Sequence, residues 1–185
     1  MKKLLFSIFI LTSFILTTFA QNGLKPQFNV IKPLISTKDD VDNFFKKGKK
    51  IKDKQGSVLY FPTKKDYKNY RSEKGDYKYW SFLYSSNYCN NGYDTPKGLV
   101  TYVEIVLFTK SHSIDELISS TVIDDSTKIP SVTNMLIQPR YLSEDGSVDI
   151  VTNSPTEPKQ KAIISISLTT KQQEKFKCKD TKKTK

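Results

Sequence analysis

Apolar residues along this chain are spaced in three ways, and each spacing predicts a different structure. Leu4 to Leu16 forms an uncharged, mainly apolar run behind Met1-Lys2-Lys3 and is closed by Thr18-Phe19-Ala20. At about 13 residues it falls short of the roughly 20 needed to cross a bilayer core. Basic residues before it and small residues after it make it a secretory signal peptide, with removal expected after Ala20. A helical spacing follows: Val41, Phe44 and Phe45 stand at i, i+3 and i+4. Ser36 or Thr37 can cap that helix, Asp39 and Asp40 suit its positive end, and Gly48 stops it. Ser113-Ile114-Asp115-Glu116 has the spacing of a capping box and predicts a second helix with Ile114, Leu117 and Ile118 on its buried side.

The third spacing is the period of two that marks strands. It runs from Ser57 to Phe61, Tyr77 to Tyr84, Leu99 to Thr109, Met135 to Leu142, Ser147 to Thr152 and Ala162 to Thr169. Leu99 to Thr109 is apolar on both alternating sides and is predicted to be central. Pro139 places Met135 to Leu142 at an edge, because proline cannot donate to a ladder. In the last strand Ala162, Ile164, Ile166 and Leu168 face inward while Ser165 and Ser167 face water, so one side of the sheet is solvated. Glu144-Asp145-Gly146 is a turn, Asn87 to Tyr93 caps a hairpin, and Lys171 to Phe176 is a short helical turn. The order, helix and three strands followed by helix and three strands, admits an internal repeat.

The expectation is an α+β fold: one domain, mainly an antiparallel sheet of about six strands with two or three short helices on one side. Residues 1–20 are the signal peptide, 21–33 an extended lead-in, 34–178 the domain and 179–185 a flexible basic tail. Without Lys2 and Lys3 the chain has 28 basic residues against 19 acidic ones, a net charge of +9. Lys46 to Lys52 and the tail from Lys175 carry part of it, and such runs attract anionic partners or are simply solvated. Export also decides the cysteines. Cys89 and Cys178 are the only two, and an oxidising compartment favours a disulfide between them, with about 4 to 5 kcal/mol of loop-closure stabilisation.

Several segments occur in an order that resembles a group of small exported bacterial proteins of unknown function. They are Pro33-Leu34-Ile35-Ser36-Thr37-Lys38-Asp39-Asp40-Val41, the stretch from Tyr84 to Gly98 with Cys89, Val103-Glu104-Ile105, Glu144-Asp145-Gly146, and Ile166 to Cys178. The resemblance implies the same pairing of a mid-chain with a terminal cysteine. The segment Val41-Asp42-Asn43-Phe44-Phe45 is also distantly similar to the opening helix of the small outer-membrane assembly lipoproteins, which implies the same α+β class. Neither resemblance implies an activity.

Chemistry-bearing motifs are sparse. His112 is the sole histidine, and its neighbours Ser111 and Ser113 lie too close in sequence for the convergent geometry of a hydrolase triad. One histidine and two cysteines do not make a structural zinc site, and no phosphate loop or dinucleotide motif occurs, so no cofactor is expected. Acidic pairs at Asp39-Asp40, Asp115-Glu116, Asp124-Asp125 and Glu144-Asp145 leave open a small secreted hydrolase using paired carboxylates. The stronger reading is a non-enzymatic, exported interaction domain, periplasmic or extracellular. Its partner is an unidentified protein or envelope ligand, with no nucleic acid expected and no membrane anchor. Tyr67, Tyr70, Arg71, Tyr77, Tyr79 and Trp80, crowded with lysines, form the candidate surface, by stacking and charge. The same residues are also good strand formers, which would make them packing.

Overall fold

The computed structural model describes residues 23–86, 93–108, 114–119, 128–133, 136–152 and 162–178, with backbone alone for 128–133 and 136–139. The class is α+β. Four short helices, α1 (Lys38–Phe44), α2 (Lys64–Ser72), α3 (Ile114–Leu117) and α4 (Thr170–Phe176), accompany eight strands. The strands are β1 (Lys49–Lys52), β2 (Val58–Phe61), β3 (Tyr77–Tyr84), β4 (Val100–Phe108), β5 (Lys128–Thr133), β6 (Leu136–Leu142), β7 (Val148–Thr152) and β8 (Ala162–Ile166). They form one antiparallel sheet in the order β1-β2-β3-β4-β8-β7-β6-β5.

That order divides into two meanders, β1–β4 and β5–β8, each preceded by a helix and joined where β4 pairs antiparallel with β8. Each half thus has a leading helix and four strands, one strand more than the sequence pattern indicated, and α2 lies between β2 and β3 of the first half alone. Two strands escaped it. β1 is almost all lysine and carries no alternation to read, and β5 contains Pro130. Because β5 takes the edge, β6 is interior, contrary to the position Pro139 suggested. β7 pairs only with Arg140, Tyr141 and Leu142, so Pro139 lies past the end of that ladder and its missing N–H breaks nothing there.

The main core lies on one side of the sheet. Tyr60, Trp80, Ile105, Ile164, Ile150 and Tyr141 are aligned by register into a single buried row across six strands. α1 and α3 cover the row with Val41, Phe45, Ile114 and Leu117. α1 starts at Thr37, whose hydroxyl accepts the Asp40 N–H at 3.2 Å while the Asp40 carboxylate accepts the Thr37 N–H at 2.8 Å. The Thr37 N–H and the Thr37 hydroxyl, which also donates to Asp40 Oδ2 at 2.8 Å, hold the Asp40 carboxyl below its ordinary pKa. Gly48 then lets the chain turn into β1, since a Cβ there would lie 1.8 Å from the Phe61 carbonyl oxygen.

The lead-in is a working part of this core. Leu24, Phe28 and Ile31 are buried in it, the Lys25 N–H donates to the Leu117 carbonyl at 3.1 Å, and Leu34 and Val100 are tied by a 2.8 Å bond. Helices also occupy both sides, not one. α2 packs on the opposite side against β2 and β3, where Tyr67 and Tyr70 meet the fully buried Phe61. The lysine and tyrosine stretch from Lys64 to Ser72 is therefore a helix absent from the sequence pattern, capped by Thr63, whose side chain accepts the Asp66 N–H. No described helix is long and apolar enough to cross a membrane.

Candidate binding face

The side of the sheet away from the main core is covered at one end by α2, and no other described helix packs across its middle. Register decides what it shows. Leu83 pairs with Tyr102 and Ser81 with Glu104, Glu104 pairs with Ser165, and Ser165 pairs with Asp149. Strand alternation puts these side chains on the same side. A polar row thus crosses four strands whose other side is mostly apolar.

The row is internally bonded. The Tyr102 hydroxyl lies 3.0 Å from Ser165 Oγ and donates to Glu104 Oε2 at 3.4 Å, and Ser81 Oγ reaches Glu104 Oε1 at 3.5 Å. Burial and the neighbouring Glu104 charge push the Tyr102 phenol above its ordinary pKa, against the Ser165 hydrogen bond, so it stays a neutral donor. On the next strands the Arg140 guanidinium donates to both Asp149 oxygens, at 2.8 and 2.7 Å. This fork raises the Arg140 pKa. With both partners about a third exposed, the pair contributes no more than about 1 kcal/mol.

Beside Tyr102 the face opens into a cleft of about 210 Å³ lined by Leu83, Tyr93, Thr101, Tyr102, Ser167, Leu168 and Gln173. α4 builds its far wall. Thr169 caps that helix by accepting the Gln172 N–H at 3.2 Å, and Gln173 donates to the Leu168 carbonyl at 2.8 Å. The Tyr93 hydroxyl donates to Gln173 Oε1 at 3.2 Å, and the Asp94 N–H donates to the Phe176 carbonyl at 2.7 Å. Leu83, a large apolar side chain 48 % exposed, stands at the rim. Such an arrangement offers an apolar seat with hydroxyl, carboxylate and amide groups beside it, which suits binding of a mixed apolar and polar ligand.

The aromatic residues singled out from sequence are divided between two interiors. Trp80 is 2 % exposed and belongs to the main core, so it cannot be part of a surface. Tyr67, Tyr70, Tyr77 and Tyr79 are half-buried around Phe61 and Phe108, the Tyr77 and Phe108 rings stacking at 4.5 Å. Burial pushes the phenols of Tyr77 and Tyr79 upward. Arg71 alone of the six is exposed. Asp39 and Asp40 lie in the first turn of α1, and Asp115 and Glu116 in that of α3. Asp145 holds its turn by accepting from Ser143 Oγ and from the Ser147 N–H and Oγ at 2.7 to 2.9 Å. Cys89, His112 and the pair Asp124-Asp125 lie outside the described residues. Among those described, no cluster of acidic, histidine or cysteine side chains could hold a metal ion.

Sequence reasoning passed over Tyr102, Glu104, Asp149 and Arg140. One signal was legible: Glu104 interrupts an otherwise apolar central strand, and a carboxylate at such a place requires an open side or a partner. No family model, curated protein or solved structure matches this chain.

Proposed function

We propose that this chain is an exported, non-enzymatic interaction domain that binds a protein or envelope ligand at the open side of its sheet. The observation that carries this reading is the cleft at Leu83 and Tyr102, where an exposed apolar side chain borders a bonded polar row. The signal-like start and the resemblance to small exported proteins support the location. A photo-crosslinking residue at position 83, compared with one at the exposed Glu144, tests the site in the exported fraction. A discrete adduct at 83 alone, lost in Leu83→Arg variants labelled at a neighbouring rim position, supports it. Equal labelling at 83 and 144 would sink it.

The proposal includes a bond between Cys89 and Cys178. Tyr93 forms a β-bridge with Lys177, which brings the chain four residues after one cysteine beside the immediate neighbour of the other. No cysteine among the described residues is a free thiol.

The carboxylate hydrolase remains as a second reading on one observation, that Glu104 and Asp149 share a side with Ser165 between them. Two strand spacings put their backbones about 10 Å apart. The Arg140 fork already occupies both oxygens of Asp149, which favours binding over catalysis. Glycosidase assays on Glu104→Gln beside the parent chain separate the two readings.

A further inference from the structure

The charge of this chain is concentrated at one end of the sheet. Residues 46–78 hold 12 basic side chains against 4 acidic ones, a net +8 of the +9 carried after residue 20. In the fold that segment is the β1 edge with the turns beside it and α2 behind it. Lys46, Lys47, Lys49, Lys52, Lys64 and Lys68 are all exposed, and none forms a salt bridge among the described residues. The Lys49 ammonium lies 5.7 Å from the Tyr67 ring centre, so the lysines of β1 and those of α2 make one continuous rim.

Folding does not ask for this placement. Lys64 and Lys65 occupy the first turn of α2, where the helix dipole disfavours cations, and neighbouring lysines along β1 repel one another. Edge lysines do discourage strand pairing, but one or two suffice for that.

We propose that the β1 and α2 rim docks on an anionic lipid surface. Eleven of the 12 basic residues are lysine, which acts as a hydrated point charge and suits attraction to a charged plane more than forked recognition of one phosphate. The aromatic rings here are turned inward onto Phe61, which removes the stacking platform that single-stranded nucleic acid uses. At the rim's corner, where α1 ends beside Lys46 and Lys47, Phe44 stands 48 % exposed, an apolar side chain that can enter the headgroup layer. Each lysine near an anionic bilayer strengthens binding about fivefold, an effect lost within a Debye length of roughly 8 Å at physiological salt.

Protein recovered from the exported fraction is sedimented with phosphatidylcholine vesicles with and without phosphatidylglycerol. Binding is expected only with phosphatidylglycerol and is expected to fall with salt. K46E/K47E/K49E should weaken it on the order of 100-fold or more, and K64E/K68E should weaken it independently. K97E/K171E/K175E makes a matched charge change outside the rim and should leave most binding intact. Trp80 fluorescence verifies that each variant is folded. Failure to bind the anionic vesicles overturns the proposal. So does equal loss in the rim and control variants, which would reduce the effect to net charge. Retention on single-stranded DNA at salt that releases the vesicles would assign the rim to nucleic acid instead.

Discussion

Replacing Phe61 by alanine separates packing from binding for the aromatic end of the sheet. Phe61 is fully buried between β2 and α2, with ring centres of Tyr70, Tyr67 and Tyr79 at 5.0, 5.5 and 6.1 Å. Truncating a core phenylalanine costs about 3 to 5 kcal/mol. The tyrosines around this site are half exposed and can sag into the hole, so the lower end, about 3 kcal/mol, is expected. For a domain of this size that lowers Tm by about 6 to 12 °C. The measurement is urea unfolding followed by Trp80, the sole tryptophan, which sits in the other core and reports global unfolding. Tyr67→Ala with Tyr70→Ala should also destabilise, whereas Arg71→Ala should leave the midpoint within about 0.5 kcal/mol. A loss below about 1 kcal/mol for Phe61→Ala would refute the second core and return these rings to the surface.

Gly48→Ala should cost at least about 3 kcal/mol or abolish folding, read by circular dichroism, because backbone at 1.8 Å leaves no room for a methyl group. Tyr141 is fully buried and its hydroxyl has no partner among the described residues, so Tyr141→Phe should be neutral or stabilising by up to about 1 kcal/mol in denaturant titration. Stability should fall as pH rises above about 10, where unfolded tyrosines ionise while buried Tyr79 and Tyr84 remain neutral. Tyr79→Phe should flatten that alkaline loss. At the other end, the Asp42 carboxyl is held low by its bonds to Lys38 and Lys50, so its contribution is present above about pH 4 and lost in acid. Asp42→Asn should shallow the acid limb of the same pH series.

The elements with strong local patterns were legible from sequence, and those without were not. The α1 stripe, of which Val41 and Phe45 are buried and Phe44 is not, the caps at Thr37 and Asp40, and the apolar strand around Ile105 need only neighbouring residues to specify them. β1 has no alternation, and β5 is recognisable only beside β6. α2 was hidden because its buried side is made of tyrosines at 67 and 70, residues equally at home in strands. The candidate face was hidden for a different reason. Its residues come from four strands and meet through register, which the sequence of no single strand contains. Crowding of Tyr and Lys along the chain pointed to one surface, but alternation and the intervening helix sent Trp80 and Tyr79 to opposite sides of the sheet.

The seam between β4 and β8 also sets the order in which the chain can close. Ile105 meets Ile164 on the order of 60 residues further along, whereas β1 to β4 are joined by nearer contacts. A chain folding from its N-terminus therefore completes the first meander while β4, apolar on its core side, still has an open edge. That edge is the segment most open to pairing with another copy until its own β8 arrives. Glu104 lies in the middle of it, and a charge at that position keeps an unfinished edge from accepting a stranger.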